Sequence, residues 1–131
     1  MRDTSPSILD RLRSIWRSLT LDDALGFDDS SPDRLVVQHR ELKFVFDKRR
    51  REVTRGNRLL TRFDAIRWVD LHTVSGRNGP MYWRVRLNIG FLRHVRIGTS
   101  TDDASASLVA ASIATAVGVA VKASEGAPIP L

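Results

Sequence analysis

Cysteine is absent from all 131 residues, which excludes a disulfide framework, a thiolate nucleophile and any cysteine-bound zinc. Tyrosine occurs once and aromatic residues make up only 7% of the chain, so a surface built from a row of stacking rings is not expected. Glycine-rich phosphate cradles, a His-Glu-x-x-His helix and a nucleophile elbow are missing too; "GRNGP" lacks the lysine and the helix of a P-loop. At the N-terminus, Arg11, Arg13 and Arg17 interrupt the apolar residues, so there is no continuous core of signal-peptide type. These absences predict a non-enzymatic, intracellular protein with no cofactor and no metal. The length suits one domain.

What the chain does have is arginine, unevenly spread. Residues 34–98 hold 16 basic and 5 acidic groups, whereas residues 1–33 hold 4 and 7 and residues 99–131 hold 1 and 3. A basic middle between acidic ends is a statement about local field and attraction to anions.

Periodicity divides the chain into three parts: residues 1–33 as an amphipathic helix and acidic linker, 34–123 as the domain, and 124–131 as a loose tail. In "TSPSILDRLRSIWRSLT", Ile8, Leu12, Ile15, Trp16 and Leu19 fall at helical spacing with arginines beside them. "LDDALGFDDSSPD" reads as the linker, pinned by Leu25 and Phe27. Then the period becomes two. Leu42, Phe44 and Phe46 on one side and "EVTR" on the other predict a hairpin whose loop is Lys48–Arg51. "RGNR" predicts a second turn, and "DAIRWVDL" shifts its apolar phase from Ile66 and Trp68 to Val69 and Leu71, the mark of a bulge or bend. In "MYWRVRLNI", Met81, Trp83, Val85, Leu87 and Ile89 are expected inside, and Tyr82, Arg84, Arg86 and Asn88 outside; in "LRHVRIG", Val95 and Ile97 go in, His94 and Arg96 out. Ser100 and Asp103 form a capping box for a last helix that Gly118 stops. Its charge-free stretch, 104–121, is at the lower limit for a membrane span, but serines, a threonine and the aspartate start favour a core helix, with "VAVKA" as a final extended piece. The expected fold is mainly β: an antiparallel sheet curled over a core, or a barrel, capped by a C-terminal helix.

Three groups of residues are candidate sites. Tyr82, Arg84, Arg86, His94 and Arg96 would share one outer sheet face, because residues two apart in a strand point the same way. Lys48, Arg49, Arg50 and Arg51 are first a solvated hairpin loop, with Asp47 and Glu52 beside them, and at most the rim of a basic surface centred elsewhere. Leu12, Arg13, Trp16 and Arg17 belong to a helix suited either to docking on its own domain or a partner, or to lying in a membrane interface. Asp70 with His72, and His39 with Glu41, are Asp/Glu–His pairs at strand spacing, read as ordinary surface hydrogen bonds rather than metal or acid–base sites.

In order and texture, "LKFVFDKRRREVTR", "LLTRFDAIRWVDL", "YWRVRLNI", "RHVRIGTSTDDASA" and the helix that follows resemble the pleckstrin-homology-like domains of small bacterial proteins of poorly defined function, over about residues 35–122. The resemblance implies a partly or fully closed barrel covered at one end by the helix, and a role in binding. Many eukaryotic members of that family bind phosphoinositides through basic residues in the loop between the first two strands, a place comparable to that of Lys48–Arg51; the fuller motif of spaced basic residues on both flanking strands is missing here. The expected function is a binding module that meets a protein partner or an anionic lipid surface through the arginine face. It would be cytoplasmic, or peripheral at the inner membrane face. Nucleic acid at the same face ranks second, since Tyr82 alone would stack there, and a small enzyme third.

Overall fold

Strand alternation organises most of the molecule. The computed structural model describes residues 25–28, 30–75 and 81–125; Leu12, Arg13, Trp16 and Arg17 of the expected N-terminal helix lie outside them. Among the described residues nine strands form two sheets. β1 (Leu25–Phe27), β2 (Arg34–His39), β3 (Leu42–Asp47), β4 (Glu52–Arg55) and β5 (Arg58–Arg62) make an antiparallel meander in that spatial order, sheet A. β6 (Trp68–Val74), β7 (Tyr82–Gly90) and β8 (Arg93–Ser100) are antiparallel neighbours in sheet B. The helix α1 (Asp103–Val117) then leads to β9 (Ala120–Glu125), which returns parallel to β6, so the order is β8-β7-β6-β9. The two sheets are separate hydrogen-bonded ladders and do not close into a barrel.

The core lies between the inner faces of the sheets and α1. Phe44 and Phe46 of β3, Val37 of β2, Val53 of β4, Val69 of β6, Val85 and Leu87 of β7 and Ile97 of β8 are fully buried. From the helix, Val109 and Ile113 are buried with Ala106, Ala110 and Ala114, whose small side chains let α1 settle closely on strands of both sheets. Each fully buried Val or Ile contributes about 1.5–3 kcal/mol relative to exposure. The charge-free stretch is therefore a core helix; among the described residues no helix is long and apolar enough to cross a membrane.

Several boundaries differ from the reading of the pattern. Leu25 and Phe27 are strand, not linker: Leu25 pairs with His39 and is buried, so the folded core reaches back ahead of Arg34. Two strands thus precede the Lys48–Arg51 hairpin, which joins the third and fourth strands and not the first two. The phase shift at 66–71, expected as a bulge or a bend, is a turn between two strands and not a bulge within one. A 3-10 turn, Phe63–Ala65, and two irregular residues carry the buried Ile66, and β6 starts afresh at Trp68 with Val69 inward. Trp68 consequently sits on the outer face, and Met81, expected inside, is exposed. The helix is capped at Asp102, not Ser100: Ser105 Oγ donates to Asp102 Oδ2 at 2.6 Å, and Ser100 Oγ accepts the Asp102 N–H at 3.0 Å. At the other end Gly118 takes φ 90°, and its N–H closes on Ala114 O at 2.7 Å.

Candidate functional site

The outer face of sheet B is built by register. Three cross-strand rows run from β9 through β6 and β7 to β8: Ala120, Trp68, Asn88 and His94; Lys122, Asp70, Arg86 and Arg96; Ser124, His72, Arg84 and Thr99. A register shift between Val85 and Arg86 in the β7–β8 ladder keeps Arg96 opposite Arg86 while Ile97 turns into the core. The face thus gathers Arg84, Arg86, Arg96 and Lys122 around a single carboxylate, Asp70. The five residues predicted to share it, Tyr82, Arg84, Arg86, His94 and Arg96, all come from this β7–β8 pair.

Asp70 is the hub. Trp68 Nε1 donates to its Oδ1 at 3.0 Å, Arg86 Nη2 stands 3.5 Å and His94 Nε2 3.3 Å from its Oδ2, and only 13% of its side chain remains exposed. The contacts to Arg86 and His94 are long for directional hydrogen bonds, so the carboxylate meets these groups as a nearby charge more than as an orienting partner. Lys122 Nζ lies 3.7 Å from the centre of the Trp68 ring, a cation–π contact that covers the indole. Asn88 shapes the end of the face, accepting the Gly90 N–H at 3.1 Å and lying 3.5 Å from His94 Nε2.

Positive charge on this face is under-compensated. The Nε atoms of Arg84 and Arg86 are buried with no hydrogen-bond partner among the described residues. Desolvation, then Arg86 and Arg96 alongside, pull the Arg84 guanidinium below the usual arginine range. His72 is likewise held below the ordinary histidine range, first by desolvation and then by Arg84 and Arg86, which outweigh Asp70. Its Nδ1 lies 2.8 Å from Ser124 Oγ. Asp70 and His72 share the face as their spacing implies, yet each is engaged with other partners. Among the described residues no group of three or more His, Cys, Asp or Glu side chains is placed to hold a metal ion.

The basic hairpin loop is a second, smaller feature. Asp47 Oδ1 accepts the N–H groups of Arg49 and Arg50 at 2.9 and 3.0 Å, which folds the turn, and Arg51 closes it at φ 56°. Arg51 is engaged within the fold, 3.1 Å from Asp64 and over the Phe63 ring. Lys48, Arg49 and Arg50 stay exposed, with Lys48 beside a shallow depression on Ala111, Ser112, Thr115 and Ala116 of α1. The other Glu–His pair comes apart: the His39 ring packs on Gly98 and its Nε2 faces the Thr99 N–H at 3.4 Å, joining sheet A to sheet B.

Trp68, Asp70, His72 and Lys122 were not anticipated as members of the basic face. For the first three the signal was present as i, i+2, i+4 spacing, obscured by taking the apolar phase from Ile66. Lys122 had no local signal, because its place depends on a parallel pairing with a strand some fifty residues earlier. No protein-family model matches the chain, and neither a curated protein nor a solved structure does.

Proposed function

We propose that the chain is a non-catalytic binding module, pleckstrin-homology-like, that receives an anionic surface on the outer face of sheet B. The observation that carries the reading is the crowding of Arg84, Arg86, Arg96 and Lys122 about one carboxylate, with two guanidinium Nε atoms buried and without a partner among the described residues. Like charges held together and partly desolvated raise the free energy of the unbound face, and a phosphate or carboxylate brought to the terminal guanidinium nitrogens would offset that. The order of elements, a meander, then three antiparallel strands, then a helix against both sheets, supports the family resemblance. The two sheets and the parallel β9 are features of this chain beside it. The partner is an anionic lipid surface or an acidic protein, met in the cytoplasm. Nucleic acid ranks lower because Lys122 covers the Trp68 ring, leaving Tyr82 and Phe91, at opposite ends of β7, rather than an interleaved row of aromatics for stacking.

The test uses heparin as a generic polyanion. An Arg84→Gln/Arg86→Gln variant should elute from a heparin column at clearly lower salt than the wild type and bind the free chain about tenfold more weakly. A charge-matched Arg34→Gln/Arg58→Gln variant, altered on exposed positions of sheet A, should shift much less. Equal shifts for the two pairs would mean that net charge, not this face, holds the anion, and the proposal would be wrong.

A further inference from the structure

One end of the basic face carries a feature of opposite character. The β7–β8 hairpin turns through Phe91 and Leu92, which are 79% and 81% exposed, far more than any other large apolar side chain described. The backbone makes this choice of residues costly. Leu92 sits at φ 57°, in the left-handed region where glycine or asparagine is the easy occupant, and Gly90 before it takes φ 143°. A turn with positive φ only at its second central position would ordinarily carry glycine or asparagine where Leu92 stands. A sequence that places Phe-Leu at a strained, fully hydrated tip departs from local rules in a way that folding does not reward.

Basic residues collar the tip. Arg93 pairs with Gly90 directly below it, and His94 is in the next row. Just before β6, the Arg67 N–H donates to Asn88 O at 2.8 Å, placing exposed Arg67 at the same end. The segment Phe63–Arg67 links this end to the basic loop, because the Phe63 N–H donates to Arg51 O at 2.9 Å. Four residue steps, Phe63 to Arg67, span at most about 14 Å.

We infer that the β7–β8 tip is a membrane-insertion element: Phe91 and Leu92 enter the interface of an anionic bilayer while Arg67, Arg93 and the arginine face lie against its headgroups. This rests on the reading of the basic face and commits it to a lipid partner. The shape of the tip decides for lipid over protein. Two apolar side chains on a narrow convex turn cannot supply the roughly 800 Å² per partner of a standard protein interface, whereas a fluid bilayer surrounds a protruding pair from all sides. Apolar insertion and basic attraction are each weak alone and sufficient together.

The experiment compares co-sedimentation of the full chain with vesicles of phosphatidylcholine plus phosphatidylglycerol and with vesicles of phosphatidylcholine alone. The wild type should pellet with the first and not the second. A Phe91→Ser/Leu92→Asn variant, in which asparagine suits the left-handed position, should unfold at a temperature no lower than the wild type and keep its retention on heparin, yet bind the anionic vesicles about tenfold more weakly. A Phe91→Trp variant should gain a blue-shifted emission component, quenched by lipids brominated near the top of the acyl chain. Undiminished vesicle binding by the Ser/Asn variant, or a Phe91→Trp signal that vesicles leave unquenched, overturns the insertion. Retention on heparin with no pelleting by the wild type also overturns it and points to an acidic protein. If instead the Arg84/Arg86 variant behaves like its charge-matched control on heparin, the face reading fails while the Phe91→Trp quenching still answers for the tip.

Discussion

At Gly98 the backbone of β8 runs so close to sheet A that an added Cβ would stand 2.6 Å from Cγ of His39 and 2.9 Å from its Cβ. No rotation of the imidazole clears the second of these contacts, because a Cβ moves only with the backbone of β2. Gly98 is buried, and the His39–Thr99 contact is one of the places where the two sheets touch, so the clash would be transmitted to the packing between them. Gly98→Ala should therefore destabilise the fold by about 1–3 kcal/mol, read as a lower urea midpoint with an unchanged slope. Combining it with His39→Ala should return part of the loss, since the two changes act on one contact. A Gly98→Ala protein as stable as the wild type would show that the sheets are free to move apart here. His39 thus has a packing role that its spacing from Glu41 did not suggest.

The hairpin of β3 and β4 makes a comparable point for an element. Its loop is dense in positive charge, yet what shapes it is the one acid before it: the Asp47 carboxylate is held below the usual aspartate range, first by the Arg50 N–H, with the Arg49 N–H adding to this against desolvation. Because the folded state lowers this group, its contribution to stability is present above the ordinary aspartate value of about 3.9 and is lost as the pH falls through the lower folded value. Asp47→Ala should accordingly lower the thermal midpoint at neutral pH, and the gap to the wild type should narrow as the solution is acidified below pH ~4. A gap of constant size down the pH series would mean that the carboxylate does not hold the turn. Elements of this kind were legible in the sequence. The alternation in "YWRVRLNI" located β7 and the arginine face, and Gly56 at φ 63° turns β4 into β5 where "RGNR" indicated. Three features were not legible for physical reasons. The 3-10 turn at Phe63–Ala65 has no strand period, so Trp68 was assigned to the wrong side. β1 is three residues long, too short to alternate. Gly90 marked the break between the last two strands, but nothing local showed that Phe91 and Leu92 stand exposed at its tip.

For the whole molecule, the decisive property is that one sheet buries its inner face under α1 and leaves its outer face to a cluster of cations. That division makes the charge of the outer face responsive to its surroundings. His72, between Arg84 of β7 and Ser124 of β9 and in the field of Arg86 and Asp70, has its protonation opposed by desolvation and by the two arginines. In the free protein it therefore gains its proton below the ordinary value of about 6.5. For stability the sign follows: the unfolded chain takes up the proton first, so the fold loses stability as the pH falls from that value through the lower folded one. For binding the sign is reversed. An anionic surface at Arg84 and Arg86 relieves the repulsion that depresses His72, so binding is coupled to proton uptake and tightens over the same fall in pH. Relative to His72→Gln, the wild type should gain up to about fivefold in affinity for anionic vesicles or heparin on acidification, the worth of one further charge near such a surface. The comparison removes any change common to both proteins. Parallel pH profiles for the two would place His72 outside the field of the bound anion and move the contact toward the β8 side of the face, where Arg96 would carry it.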